Sequence, residues 1–197
     1  DITNDFDMNE IIKDYLKVKY NKPGNVYLGL VHRLDRRVGG VMVFARTSKS
    51  ASRLSNMIRI GEFEKIYLAV VEGMPPEEGA FEDYLLKLEN ENRTIVGKNG
   101  KYSKLSYKLL SFKDGLSLVK IKLETGRSHQ IRVQFSSRGY ALWGDQKYNS
   151  KAKVGEQIAL WAYELRFKHP VRDEIMDFKC NPPLKYPWTL FGDVIHD

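Results

Sequence analysis

Glu64-Lys65-Ile66-Tyr67-Leu68-Ala69-Val70-Val71-Glu72 decides the fold. Ile66, Leu68 and Val70 alternate with Tyr67, Ala69 and Val71, so a strand with its period of two carries apolar side chains on both faces. Such a strand belongs inside a sheet that is covered on both sides. Downstream, Met74-Pro75-Pro76-Glu77-Glu78-Gly79 reads as a turn, followed by strands over Phe81 to Leu88, Ser103 to Phe112 and Leu116 to Glu124. The polar stretch from Glu89 to Lys101 reads as hairpin-like, and Lys113-Asp114-Gly115 is the tight turn that joins the last two strands of this meander.

Upstream, Thr47 or Ser48 can cap a helix through Ile60 that Gly61 ends, with Ala51, Leu54 and Ile58 on one face. Val26 to Val31 and Gly40 to Ala45 are short β-rich runs on either side of a charged loop. Before them, Asp7-Met8-Asn9-Glu10 opens a helix that Asn21-Lys22-Pro23-Gly24 stops. Beyond the meander, Thr125 to Arg132 leads into a helix that runs to Arg138 and closes at Gly139. Ile158 to Phe167 and Glu174 to Phe178 read as two more strands before a proline-rich tail. This order predicts one α+β domain with a mixed, mainly antiparallel sheet and a few flanking helices, rather than alternating βαβ units.

Composition bounds the function. The 197 residues hold 32 Lys and Arg against 25 Asp and Glu, a formal charge of +7 that favours polyanionic partners. The single cysteine, Cys180, excludes an internal disulfide and a zinc site built from several thiolates, which points to a reducing, cytoplasmic setting. No apolar run approaches the roughly 20 residues of a membrane-spanning helix, and the first residues lack the pattern of a signal peptide. The expected protein is therefore soluble and not exported.

Two stretches carry candidate chemistry. In His32-Arg33-Leu34-Asp35-Arg36-Arg37-Val38-Gly39-Gly40, one carboxylate is surrounded by guanidinium groups that favour its ionised form. That suits a nucleophile or an electrostatic stabiliser better than a general acid. On charge pattern alone, a surface salt-bridge cluster is the simpler reading. In Gly126-Arg127-Ser128-His129-Gln130-Ile131-Arg132, a glycine turn opens a helix with cations near its positive end, either an anion site or a capped amphipathic helix with exposed arginines. Glycine-rich phosphate loops, Gly-x-Ser-x-Gly elbows and His-Glu-x-x-His zinc helices do not occur.

The ordered set His32-Arg33-Leu34-Asp35, then Glu64-Lys65-x-Tyr67-x-Ala69-x-Val71-x-Gly73, then Thr125-Gly126-Arg127-Ser128-His129-Gln130-Ile131-Arg132-Val133 resembles the motifs of the RluA-type pseudouridine synthases. The resemblance runs from about Asp7 to Pro182 and takes in Val43-Phe44-Ala45-Arg46, Gly144-Asp145-x-x-Tyr148 and Phe167-x-His169-Pro170. It implies a pseudouridine-synthase catalytic domain over residues 1–197 that isomerises uridines in structured RNA, ribosomal or transfer RNA. It also implies Asp35 as the catalytic aspartate, Arg132 as its basic partner and Tyr67 as the tyrosine that packs against the base and helps remove its proton. Arg33 matches the residue that enters the RNA stack when the uridine flips out, and His32, Arg127, His129 and Gln130 are expected RNA contacts. The resemblance implies no metal, no organic cofactor, no membrane and no obligatory protein partner, and the expected form is a monomer.

Two departures stand out. The usual Thr-Ser-Gly after the aspartate is Val38-Gly39-Gly40, which removes two hydroxyls and alters the support of the loop. The family's opening apolar strand has no counterpart upstream of Asp35, so that strand is expected to be missing, and no stretch leaves room for an accessory RNA-binding domain. The rival function on this sequence is a non-catalytic RNA-binding protein that keeps the synthase fold.

Overall fold

In the computed structural model, which describes residues 7–196, Asp7 caps the first helix, α1 (Met8–Lys19), by accepting the Asn9 N–H at 3.0 Å. The β-rich runs on either side of the charged loop shrink to dipeptides. β1 (Gly29–Leu30) pairs antiparallel with β3 (Phe44–Ala45), and β2 (Gly39–Gly40) lies parallel to a later strand. Helix α2 (Ser48–Ile60) begins where Thr47 Oγ1 accepts the Ser50 N–H at 3.1 Å and ends at Gly61, whose φ of +81° takes the left-handed turn.

The meander follows as β4 (Phe63–Glu72), β5 (Glu78–Leu88), β6 (Arg93–Val96), β7 (Lys101–Lys113) and β8 (Leu116–Leu123). Asp114 and Gly115 both have positive φ, 52° and 77°, the two-residue turn whose twist suits a hairpin. The third helix, α3 (Gln130–Ser136), is shorter than the sequence pattern predicts, because Thr125 to His129 form a turn and His129 itself takes a φ of 52°. Strands β9 (Leu160–Lys168) and β10 (Ile175–Lys179) and a last helical turn, α4 (Gly192–Ile195), complete the chain.

Apart from the β1–β3 pair, the strands form one sheet in the order β10-β9-β4-β8-β7-β5-β6, antiparallel throughout, with β2 added parallel to β9. β4 is thus interior, as its two apolar faces require. On one face Tyr67, Ala69 and Val71 pack with Ile131 and Phe135 of α3, while Phe63 packs with Leu54 of α2 and Leu165 and Phe167 of β9. On the other face Leu68 and Val70 meet Trp188, Phe191 and Ile195. The tail that reads as merely proline-rich is therefore the cover of the second face. Its few apolar residues fall at a spacing too short to announce a helix.

Phe191 is fully buried in that cover. Phe191→Ala should lower stability by about 3–5 kcal/mol, the range for a large aromatic removed from a filled core, as read by urea unfolding.

Candidate active site

The loop that carries Asp35 is fastened from three sides. His32 Nε2 accepts the Val43 N–H at 3.0 Å, Leu34 and Val38 pack on the core around α3, and the Val38 N–H donates to the Asp35 carbonyl at 2.9 Å. The glycine pair then lies flat on β9. A Cβ at Gly39 would fall inside the Trp161 ring, and one at Gly40, where φ is +122°, would overlap the Ala162 backbone. Val38-Gly39-Gly40 thus supports the loop by apolar packing and close backbone approach in place of hydroxyl bonds.

Arg132 reaches the Asp35 loop from α3. It donates from Nε and Nη2 to the two carboxylate oxygens of Asp145 at 2.8 and 2.7 Å, and from Nη1 to Asp35 Oδ2 at 3.2 Å. Asp145 has no exposed side-chain surface, and its Oδ1 also accepts the N–H groups of Lys147 and Tyr148. Burial opposes the Arg132 charge, but the two carboxylates outweigh it and its pKa is raised. The guanidinium also sits 5.1 Å from the centre of the Tyr148 ring.

A second chain of contacts orients His129. Tyr148 Oη accepts the Thr94 N–H at 2.8 Å and lies 2.8 Å from His129 Nδ1. His129 Nε2, at the other end of the ring, lies 4.0 Å from Asp35 Oδ2. Burial, with Arg132 nearby, lowers the His129 pKa and keeps the ring neutral.

Tyr67 is buried on the same face of β4 that packs against α3, next to a bulge at which β9 gains a residue between the partners of Ile66 and Tyr67. Burial, and secondarily Asp35, push its pKa up to about 12. Tyr67 thus stays protonated well above neutral pH and walls the cleft. These groups share an open cleft of about 1150 Å³ between the Asp35 loop, the Thr125–Gln130 turn and β4.

The structure sorts the expected RNA contacts. Arg33 and Arg127 are exposed at the cleft, with Arg127 Nε donating to the Tyr102 carbonyl at 3.0 Å. Gln130 lines the cleft at 3% exposure, accepts from Thr125 Oγ1 and the Arg127 N–H, and donates to the Lys104 carbonyl, so its side chain shapes the turn. His32 lines the cleft, but its Nε2 is engaged as the loop's anchor. Burial, then Lys65, lower its pKa to about 4.

Sequence reasoning assigned no role to Asp145, Tyr148 or Lys65, although each stands in a motif. For Lys65 a signal existed, since it is a lysine on an inward face of the central strand. Asp145 and Tyr148 lie in irregular chain, where no periodicity marks them. Among the described residues, no group of three or more His, Cys, Asp or Glu is arranged to hold a metal ion.

An α+β domain thus pairs a carboxylate and a guanidinium in one open cleft, and comparison with known proteins gives its family. The family model described as RNA pseudouridylate synthase matches residues 8–137, and the chain belongs to that family. An uncharacterized RNA pseudouridine synthase of Aquifex aeolicus is 34% identical, over 79% of this chain and 53% of its own. A ribosomal large subunit pseudouridine synthase D of Zymomonas mobilis is 30% identical, with the same two shares. The chain thus spans about half the length of these curated relatives. The solved structure of human RNA pseudouridylate synthase domain containing 4 shares the fold, with a TM-score of 0.77 at 22% identity, over 92% of this chain and 81% of that one.

Two outcomes follow from the geometry. Asp145→Asn should destabilise the protein by ~3 kcal/mol in urea unfolding at neutral pH, because Arg132 stays buried with half its charge pairing removed. Unfolded, His32 takes a proton below about pH 6.5, whereas folded it resists until about pH 4. The unfolded state therefore binds more protons in that window. The stability contributed is complete above pH 6.5 and drains away as the pH falls toward 4, by roughly 2–3 kcal/mol after allowance for partial exposure. In a pH series of unfolding curves, His32→Gln should flatten this slope.

Proposed function

We propose that the chain isomerises uridine to pseudouridine in structured RNA, ribosomal or transfer RNA. The observation that carries this reading is the Asp35 carboxylate, held 3.2 Å from the Arg132 guanidinium beside Tyr67 in a cleft of nucleotide dimensions. The reaction breaks the bond from C1′ to N1, turns the uracil and joins C5 to C1′, after which the C5 proton leaves and N1 gains one. Atoms and oxidation states balance, so neither metal nor organic cofactor enters.

An ionised Asp35 serves each available route: attack on C1′, stabilisation of the positive charge that develops there, or removal of the neighbouring ribose proton. Arg132 keeps the carboxylate aimed. Tyr67 supplies a flat wall for the extruded base. Arg33, exposed at the mouth, is placed to fill the stack that the uridine vacates, which offsets part of the few kcal/mol of unstacking. Arg127 and His129 flank the cleft as backbone or base contacts.

Incubated with bulk ribosomal and transfer RNA, the protein should form pseudouridine detectable by nucleoside mass spectrometry. Asp35→Asn should reduce this to background while leaving RNA binding within a few-fold. No product from any RNA class would sink the proposal. RNA binding without product, together with a cellular function indifferent to Asp35→Asn, would favour a non-catalytic RNA-binding protein on the same fold.

A further inference from the structure

The inward face of β4 reads Phe63, Lys65, Tyr67, Ala69, Val71. Four of these five fill the core, and the lysine is buried with them at 8% exposure. It sits at the seam where the Phe63 and Phe167 stack gives way to the packing around Tyr67, and it lines the cleft. Among the described residues no carboxylate lies within ion-pairing distance of its ammonium and no acceptor holds it by a hydrogen bond. His32 lies close enough that this lysine helps to hold its pKa down. Burial lowers the Lys65 pKa in turn.

A buried, unpartnered ammonium is an unfavourable place for charge, and an apolar residue would fill the position better. The position makes sense if an anion enters. Access is open on one side: a Cβ at Gly126 would come within 3.3 Å of Lys65 Nζ, so the glycine leaves a gap in front of the charge. Two residues along a strand separate Lys65 from Tyr67 by about 6.6 Å, a span that a nucleotide bridges between its base and its phosphate.

We propose that Lys65 is a phosphate-binding residue at the floor of the cleft: its ammonium pairs, through the gap at Gly126, with a backbone phosphate of the nucleotide whose base lies on Tyr67. This rests on the reading of the cleft as an RNA site and deepens it. Phosphate is favoured over a uracil carbonyl because the ammonium lacks a full negative charge, which the neutral base does not supply. The lysine then acts in binding, and the energy it contributes depends on salt as a counterion-releasing contact must.

The test measures binding of a synthetic RNA stem-loop with an all-uridine loop, over a series of salt concentrations, by the protein and by Lys65→Met, Lys65→Arg and Gly126→Val. Lys65→Met should weaken binding ~10-fold at low salt and reduce the slope of log affinity against log salt by about 0.7, the value for one single-strand phosphate. Lys65→Arg should keep the slope, and Gly126→Val, which blocks the gap and leaves the lysine in place, should behave as Lys65→Met does. Thermal unfolding of Lys65→Met should occur at the parent temperature or above it, which separates a lost contact from a lost fold. Parent-like affinity and slope in Lys65→Met would overturn the proposal, including the case in which turnover alone falls and the ammonium must act on the base. If the unmodified protein fails to bind the stem-loop and forms no pseudouridine in bulk RNA, the RNA reading itself fails, and that is seen before any variant is made.

Discussion

The bidentate pair between Arg132 and Asp145 is the interaction on which the site depends. Asp145 has left water completely, and a carboxylate in that position is tolerable only when its oxygens are filled. Two come from the guanidinium and two from backbone N–H groups, so the arginine is gripped in one orientation. Its remaining face then presents Nη1 to Asp35. A single arginine thus converts a buried structural charge into a fixed partner for a half-exposed reactive one.

The Asp35 loop is built to match that fixed partner. It is too short and too charged to hold its own shape, and it borrows rigidity from neighbours: the Val43 N–H through His32, the α3 core through Leu34 and Val38, and the flat backbone of β9 through Gly39 and Gly40. The chemistry follows from this division of labour. Asp35 is left partly open to the cleft, Arg132 is nearly closed off, and Tyr67 is a protonated wall between them and the sheet. Lys65 extends the same wall with a positive charge that no described residue pairs.

Much of this architecture is legible in the residue order. The double-faced alternation of Ile66 to Val71 placed β4 inside the sheet, Asp114-Gly115 set a hairpin, and Thr47 and Gly61 bracketed α2 within a residue. These are short-range signals, in which a residue's own conformational preference or its neighbour's decides the outcome. The failures have the opposite character. The tail from Trp188 to Ile195 covers half the core, yet nothing local distinguishes it from a loose proline-rich end. The depth of Gln130 is likewise set by its three partners in the turn and β7, which no local pattern announces.

The site divides along the same line. By itself the sequence singled out the candidate groups: an aspartate among arginines, a tyrosine on the central strand, and a glycine turn leading to Arg132, in an order that resembles one family. Only the tertiary structure decided which of them meet. Asp35 and Arg132 are 97 positions apart, and their contact exists because Asp145, from a third segment, fixes the arginine. Tertiary structure also shifted the titrations, since burial raises the Tyr67 pKa and lowers that of His32. Burial and long-range pairing are properties of what surrounds a side chain, and a linear order of residues does not contain those surroundings.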